Sequence, residues 1–202
     1  MTASRSIALA LAVASALVAS GTACAGPPTD QLRSHVDRVL QVLEDPGLRD
    51  PARAPERRAA VRQIANEIFD FPETARRSLG PHWQARTAAE QQEFVALFGD
   101  LLERSYISRI ELYGGERIQY VGDAVDGDQA RVQSKLLTRA GTEVPIEYRM
   151  LRRAERWRVY DVVIEGVSLV ASYRTQFNRI IRSSSFEELV RKMKSRQDEL
   201  GA

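Results

Sequence analysis

The side chains able to react or to hold an ion are few and poorly grouped. The two histidines, His35 and His82, fall in different helical segments, and neither has a carboxylate at ligand spacing beside it. Each reads as a packed or solvated ring. Ser168 follows Gly166 by two positions, as the nucleophile does in a strand-to-helix elbow, but Val170 stands where that elbow needs a second glycine. Its hydroxyl suits a helix cap better. Asp123, Asp126, Gly127 and Asp128 outline part of a calcium loop, yet the closing glutamate is missing and a hairpin turn lies in the way. Phosphate-cradling glycine loops are absent. Two acids in apolar surroundings remain, Asp70 and Asp161. Unpaired, either is a candidate general acid for an enzyme or small-molecule binder on a cone-shaped α+β fold; paired to an arginine, either is structural.

The elements that must position these groups are legible from hydrophobic period. Residues 157–164 form a β-branched and aromatic run that is apolar on both parities, so this strand should be covered on both faces. Glu165-Gly166 breaks it, and Leu169, Val170, Tyr173, Phe177, Ile180 and Ile181 then recur at helical spacing. Upstream, strands are expected at about 117–124, 129–138 and 143–153, with turns at Asp126-Gly127 and Ala140-Gly141. Together the four form an antiparallel meander with one apolar face, on which the helices must lie. Helices are expected after Pro27-Pro28 to near Asp45-Pro46-Gly47, with Leu32, Val36, Val39, Leu40 and Leu43 on one face, from about Glu56 to Phe69, and from Glu73 to Leu79 after the Asp70-Phe71-Pro72 interruption. The longest helix opens at the Thr87–Glu90 capping box and runs to Gly114-Gly115. A last amphipathic helix opens at Ser185 with Glu188.

A chain of 202 residues with 44% apolar and 28% charged side chains has the make-up of one globular domain. Residues 1–25 read as a signal peptide, with Arg5 in a short basic region, Ile7 to Val18 uncharged, and Ala23-Cys24-Ala25 as the cleavage site. The mature domain is then 26–202. Cys24 is the only cysteine, so cleavage after Ala25 leaves no thiol and no disulfide. The rival is lipidation of Cys24, against which Gly21-Thr22-Ala23 lacks the usual leucine. Removing Arg5 leaves 28 basic against 27 acidic residues, a balance unsuited to a nucleic-acid binder. Arg191, Lys192, Lys194 and Arg196 cluster among Glu187, Glu188, Asp198 and Glu199, either as a solvated face or as a salt-sensitive docking surface.

The segment YDVVIEGVSLVASYRTQFNRII, residues 160–181, resembles the signature of the MlaC family of periplasmic phospholipid-binding, or toluene-tolerance auxiliary, proteins. Phe69-Asp70-Phe71, Ala75-Arg76, Leu79-Gly80, Trp83, Thr87, Phe94, Phe98, Leu101-Leu102 and Tyr106 extend the likeness in order, covering roughly residues 60–182. Two positions depart from it. Thr74 stands where methionine is common, and the turn from Arg153 to Arg156 lacks the glycine often found there.

Composition alone favours a dry, filled core; the resemblance reverses that. It implies an α+β domain whose helices and curved four-stranded sheet enclose a hydrophobic slot for acyl chains, with no cofactor, metal or active site. Burial of a methylene is worth ~0.8 kcal/mol, so a sixteen-carbon chain in water costs on the order of 10 kcal/mol, which such a slot removes. Slot candidates are Val132, Leu136, Ile146, Tyr148, Tyr160, Val162 and Ile164 from the sheet, with Phe98, Leu102, Leu169, Tyr173 and Phe177 from the helices. Tyr106, Tyr113 and Arg174 are candidates for a headgroup rim. The implied partners are a phospholipid, an inner-membrane ABC lipid-transporter complex and an outer-membrane lipoprotein complex, met by a monomer in the periplasm. Another lipid, such as a hopanoid, is the alternative cargo.

Overall fold

The computed structural model describes residues 27–110 and 113–201, with the side chains of 107–109 and 196–201 left aside. The expected signal peptide, Arg5 and Cys24 lie outside the described residues. Strands β1 (Arg117–Asp126), β2 (Gln129–Leu137), β3 (Glu143–Arg153), β4 (Arg156–Ile164) and β5 (Val167–Ser168) form one antiparallel sheet in that order. The expected count of four is corrected to five. Glu165 and Gly166 both take left-handed backbone, φ 50° and 80°, and their two-residue turn folds the chain back so that Val167 pairs with Ile164 before the next helix opens.

Residues paired across an antiparallel ladder share a face. Ile118, Tyr120 and Asp123 of β1 therefore stand beside Leu136, Ser134 and Val132 of β2. Val144, Ile146, Tyr148 and Met150 of β3 continue the same face, as do Ile164, Val162 and Val159 of β4. A bulge opposite Arg149 and Met150 inserts Tyr160 into β4, which lets Val159 and Val162 face the same way although three residues apart.

Among the described residues there are six α-helices: α1 (Pro27–Glu44), α2 (Ala54–Ile68), α3 (Phe71–Leu79), α4 (Ala88–Ile110), α5 (Leu169–Ser183) and α6 (Phe186–Gly201). Helix α3 opens at Phe71 rather than Glu73, because Asp70 accepts the Glu73 N–H at 3.0 Å as a cap and Pro72 falls in the first turn, where its missing donor is harmless. Only part of the helical layer lies on the apolar sheet face. Leu32 of α1 with Ile64 and Ile68 of α2 close over Ala130, Val132, Met150, Trp157 and Val159. Helices α3 to α6 instead build a second core around Phe94, Phe98, Phe177 and Leu189. Helix α5 backs β4 from the other side, where Val163 is buried, so β4 is covered on both faces as its sequence requires. No helix among the described residues is long and apolar enough to cross a membrane.

Candidate functional site

The sheet face that carries most of the candidate residues is sealed at one end and open at the other. Ala130 and Val132 of β2, Met150 of β3, and Trp157 and Val159 of β4 are at most 9% exposed. Further along the same strands, Leu136, Val144, Ile146, Tyr148 and Val162 are only half-buried, and Ile164 is 41% exposed. Solvated polar residues would normally occupy such a half-open surface. Here the branched apolar side chains continue to its edge.

Helix α1 sets this gradient. At the sealed end the Thr29 N–H and hydroxyl donate to Asp123 at 3.1 and 2.9 Å, and Gln31 accepts the Trp157 N–H at 2.8 Å. From there eighteen residues, at 1.5 Å each, run on the order of 27 Å toward the open end. Leu32 is fully buried, whereas Val36, Val39 and Val42 become half-buried as the helix proceeds. Beyond them the Tyr113 hydroxyl donates to Glu44 at 3.4 Å, joining the end of α1 to the segment before β1. Burial and the Glu44 charge push the Tyr113 phenol up.

The structure divides the remaining candidates. Phe98, Tyr173 and Phe177 form a ring cluster with centroids 5.0 to 5.4 Å apart inside the helix-only core, which also holds Leu102, with Leu169 and Tyr106 packed against it. Tyr160, the bulged residue, lies under the Arg77 guanidinium, 4.1 Å from its ring. Arg174 donates to the Arg77 carbonyl at 2.8 Å and packs on Gly80, where a Cβ would come within 3.3 Å of the Arg174 Cδ. The same face also carries Ile118 and Val144, which alternate with polar neighbours along their strands, and the valines of α1, none of them among the expected slot residues. It holds two hydroxyls as well. Tyr120 Oη and Ser134 Oγ, on directly opposed residues, are enclosed without a hydrogen-bond partner, at a cost of ~1 to 3 kcal/mol each.

The acids that could have done catalysis are committed elsewhere. Asp161, 3% exposed, accepts from Ser168 Oγ at 2.7 Å and the Val170 N–H at 3.0 Å, and faces Arg149 at 3.3 Å. Asp70 accepts from Arg153 at 2.7 Å as well as capping α3. Ser168 caps α5 through the Ala171 N–H at 3.0 Å. His35 contacts the Gln31 carbonyl at 2.7 Å and His82 meets Asn178 at 2.9 Å. The cationic cluster of α6 is paired, Arg191 and Lys192 with Glu188 of the same helix and Lys194 with Glu93 of α4 at 2.6 Å; the side chain of Arg196 lies outside the described residues. Surface grooves of about 350 Å³ between α1 and α2 and about 330 Å³ between α4 and α6 have no strand residue in their walls.

An antiparallel sheet with an apolar, half-sealed face, packed by helices on both sides, with its buried acids tied to arginines and helix caps, is a small α+β fold. The chain belongs to the MlaC family, whose family model, described as MlaC protein, matches residues 33–195. The intermembrane phospholipid transport system binding protein MlaC of Haemophilus influenzae is 25% identical over 120 residues, 57% of this chain and 56% of that one. The chain thus matches a little over half the length of that relative. The solved structure of a phospholipid-binding protein from Ralstonia solanacearum, in complex with a phospholipid, is similar with a TM-score of 0.71 and 25% identity, over 88% of this chain and all of the other.

Proposed function

We propose that this chain is a periplasmic phospholipid carrier, the substrate-binding component of a lipid-transport system that moves phospholipid between outer and inner membranes. The carrying observation is the apolar sheet face left half-open at Leu136, Ile146, Val162 and Ile164, in a family with a phospholipid-bound structural neighbour. A diacyl lipid placed there exchanges water for branched side chains along its tails, and its release needs no covalent step. The partners are an inner-membrane ABC transporter complex and an outer-membrane lipoprotein complex. Residues 1–25 act as a cleaved signal peptide, and 26–202 form one lipid-binding domain that is not an enzyme. Tyr113 stands at the rim; Phe98, Leu102, Leu169, Tyr173 and Phe177 support the slot from the helical core, with Arg174 outside it. Tyr106, expected at the rim, packs against that helical core.

Mass spectrometry of an organic extract of the natively purified protein tests this reading. Stoichiometric diacyl phospholipid is expected. A hopanoid would replace the cargo, and an extract without lipid would sink the carrier.

A further inference from the structure

We propose that Tyr120 and Ser134 form a polar subsite within the apolar face that receives an ester carbonyl oxygen of a diacyl lipid. The proposal rests on the carrier reading and deepens it. Both hydroxyls are enclosed and without partners, and their residues are directly opposed across β1 and β2. Tyr148 stands on the next strand, opposite Val132 and diagonal to Ser134. The other neighbours along the face, Ile118, Val132, Leu136 and Ile146, are apolar, so the Tyr148 hydroxyl beside Ser134 is the one polar group of the sheet near the pair, and Tyr120 Oη has none.

The chemistry that fits is narrow. A hydroxyl buried among aliphatic side chains gains from an acceptor, and the Tyr120 phenol stays protonated because burial pushes it well above its ordinary value. A phosphate oxygen would need a cation to offset its desolvation. The cation in reach, Arg33, stacks on the Tyr120 ring 4.9 Å from its centroid and shares that surface of α1 with Asp37, whose charge opposes it. A neutral acceptor is therefore preferred, and in a diacyl glycerolipid the neutral acceptors are the ester carbonyls. Diether lipids of the same chain length lack them.

The test loads delipidated protein from vesicles holding equal amounts of diacyl phosphatidylglycerol and its diether analogue of matched chains, and reads the bound ratio by mass spectrometry. One added hydrogen bond corresponds to a preference of roughly three- to ten-fold for the ester lipid. Tyr120→Phe with Ser134→Ala should bring the ratio to one, and Tyr120→Phe alone should lower the preference without lowering the melting temperature of the lipid-free protein, since the Tyr120 hydroxyl has no partner to lose. Equal loading by the unaltered protein overturns the subsite alone, with water satisfying the hydroxyls. A preference that survives both substitutions overturns it too. Loading of neither lipid overturns the carrier reading, and the subsite with it.

Discussion

At the residue scale, two departures from ordinary chemistry carry separate consequences. Ala154 holds φ 51° in the turn between β3 and β4, the very turn whose missing glycine the sequence shows. A left-handed alanine is strained by ~1 to 2 kcal/mol, and the entropy a glycine would lose offsets only part of that. Ala154→Gly should therefore raise stability by about 0.5 to 1 kcal/mol, read from the urea midpoint of lipid-free protein; a lower midpoint would show the turn to be unstrained. Thr74, the other departure, has a reason: its hydroxyl reaches the Tyr160 carbonyl at 3.0 Å, where β4 bulges. Glu73 is nearly buried and lies between Arg76 and Arg77, which hold its carboxyl down to about 2 against an ordinary 4.5. A depressed acid lends stability that is complete above its unfolded value and is lost as pH falls toward the folded one. The unaltered protein should thus weaken between about pH 4.5 and 2, and Glu73→Gln should flatten that part of the stability curve while lowering its plateau. Parallel curves for the two proteins would assign the acid limb to other carboxylates.

At the element scale, β4 and α5 are joined through one carboxylate. Asp161 sits on β4, meets Arg149 of β3, and takes the Ser168 hydroxyl and the Val170 N–H at the start of α5. Asp161→Ala strands the Ser168 hydroxyl and the Val170 N–H, while Arg149 keeps Glu147, and should cost about 2 to 4 kcal/mol in denaturant unfolding, with Asp161→Asn in between. An unchanged midpoint with loss of some catalytic turnover would instead revive the acid as an enzyme's. That junction also marks what the sequence could and could not say. The strand run, the Ser168 cap and the helical spacing after it were legible because each is local: period, cap and turn residues all agree over a few positions. The short β5 was not, since two residues carry no period, and only the left-handed pair Glu165-Gly166 hints at a return. Nor could period tell which apolar surface each helix meets. Phe98 and Phe177 repeat on their helices as Val36 does on α1, yet they pack into a core made of helices alone. Burial along the sheet face was equally hidden, because Val132 and Leu136 alternate identically in sequence and only the paths of α1 and α2 separate sealed from open.

At the scale of the whole molecule, the two cores give the helices and sheet different duties. The helix-only core and the sealed end of the sheet hold most of the fully buried side chains, whereas Tyr148 and Val162 of the open end pack against the sheet core only from its margin. Val162 decides whether that division is real. It pairs with Tyr148 across β3, lies on the face between buried Val159 and exposed Ile164, and is itself half-buried. If the space above it belongs to lipid, Val162→Trp fills that space and displaces ligand while the lipid-free protein melts close to the unaltered one. If instead Val162 belongs to a closed core, the larger ring overpacks it and costs ~1 to 3 kcal/mol or more, with lipid still retained. Melting must be compared on delipidated samples, because bound lipid adds stability by mass action and would disguise its own loss as a packing defect. A variant that folds normally and no longer co-purifies with phospholipid places the acyl chain on the β3–β4 ladder; a destabilised variant that still carries lipid moves the chain away from it.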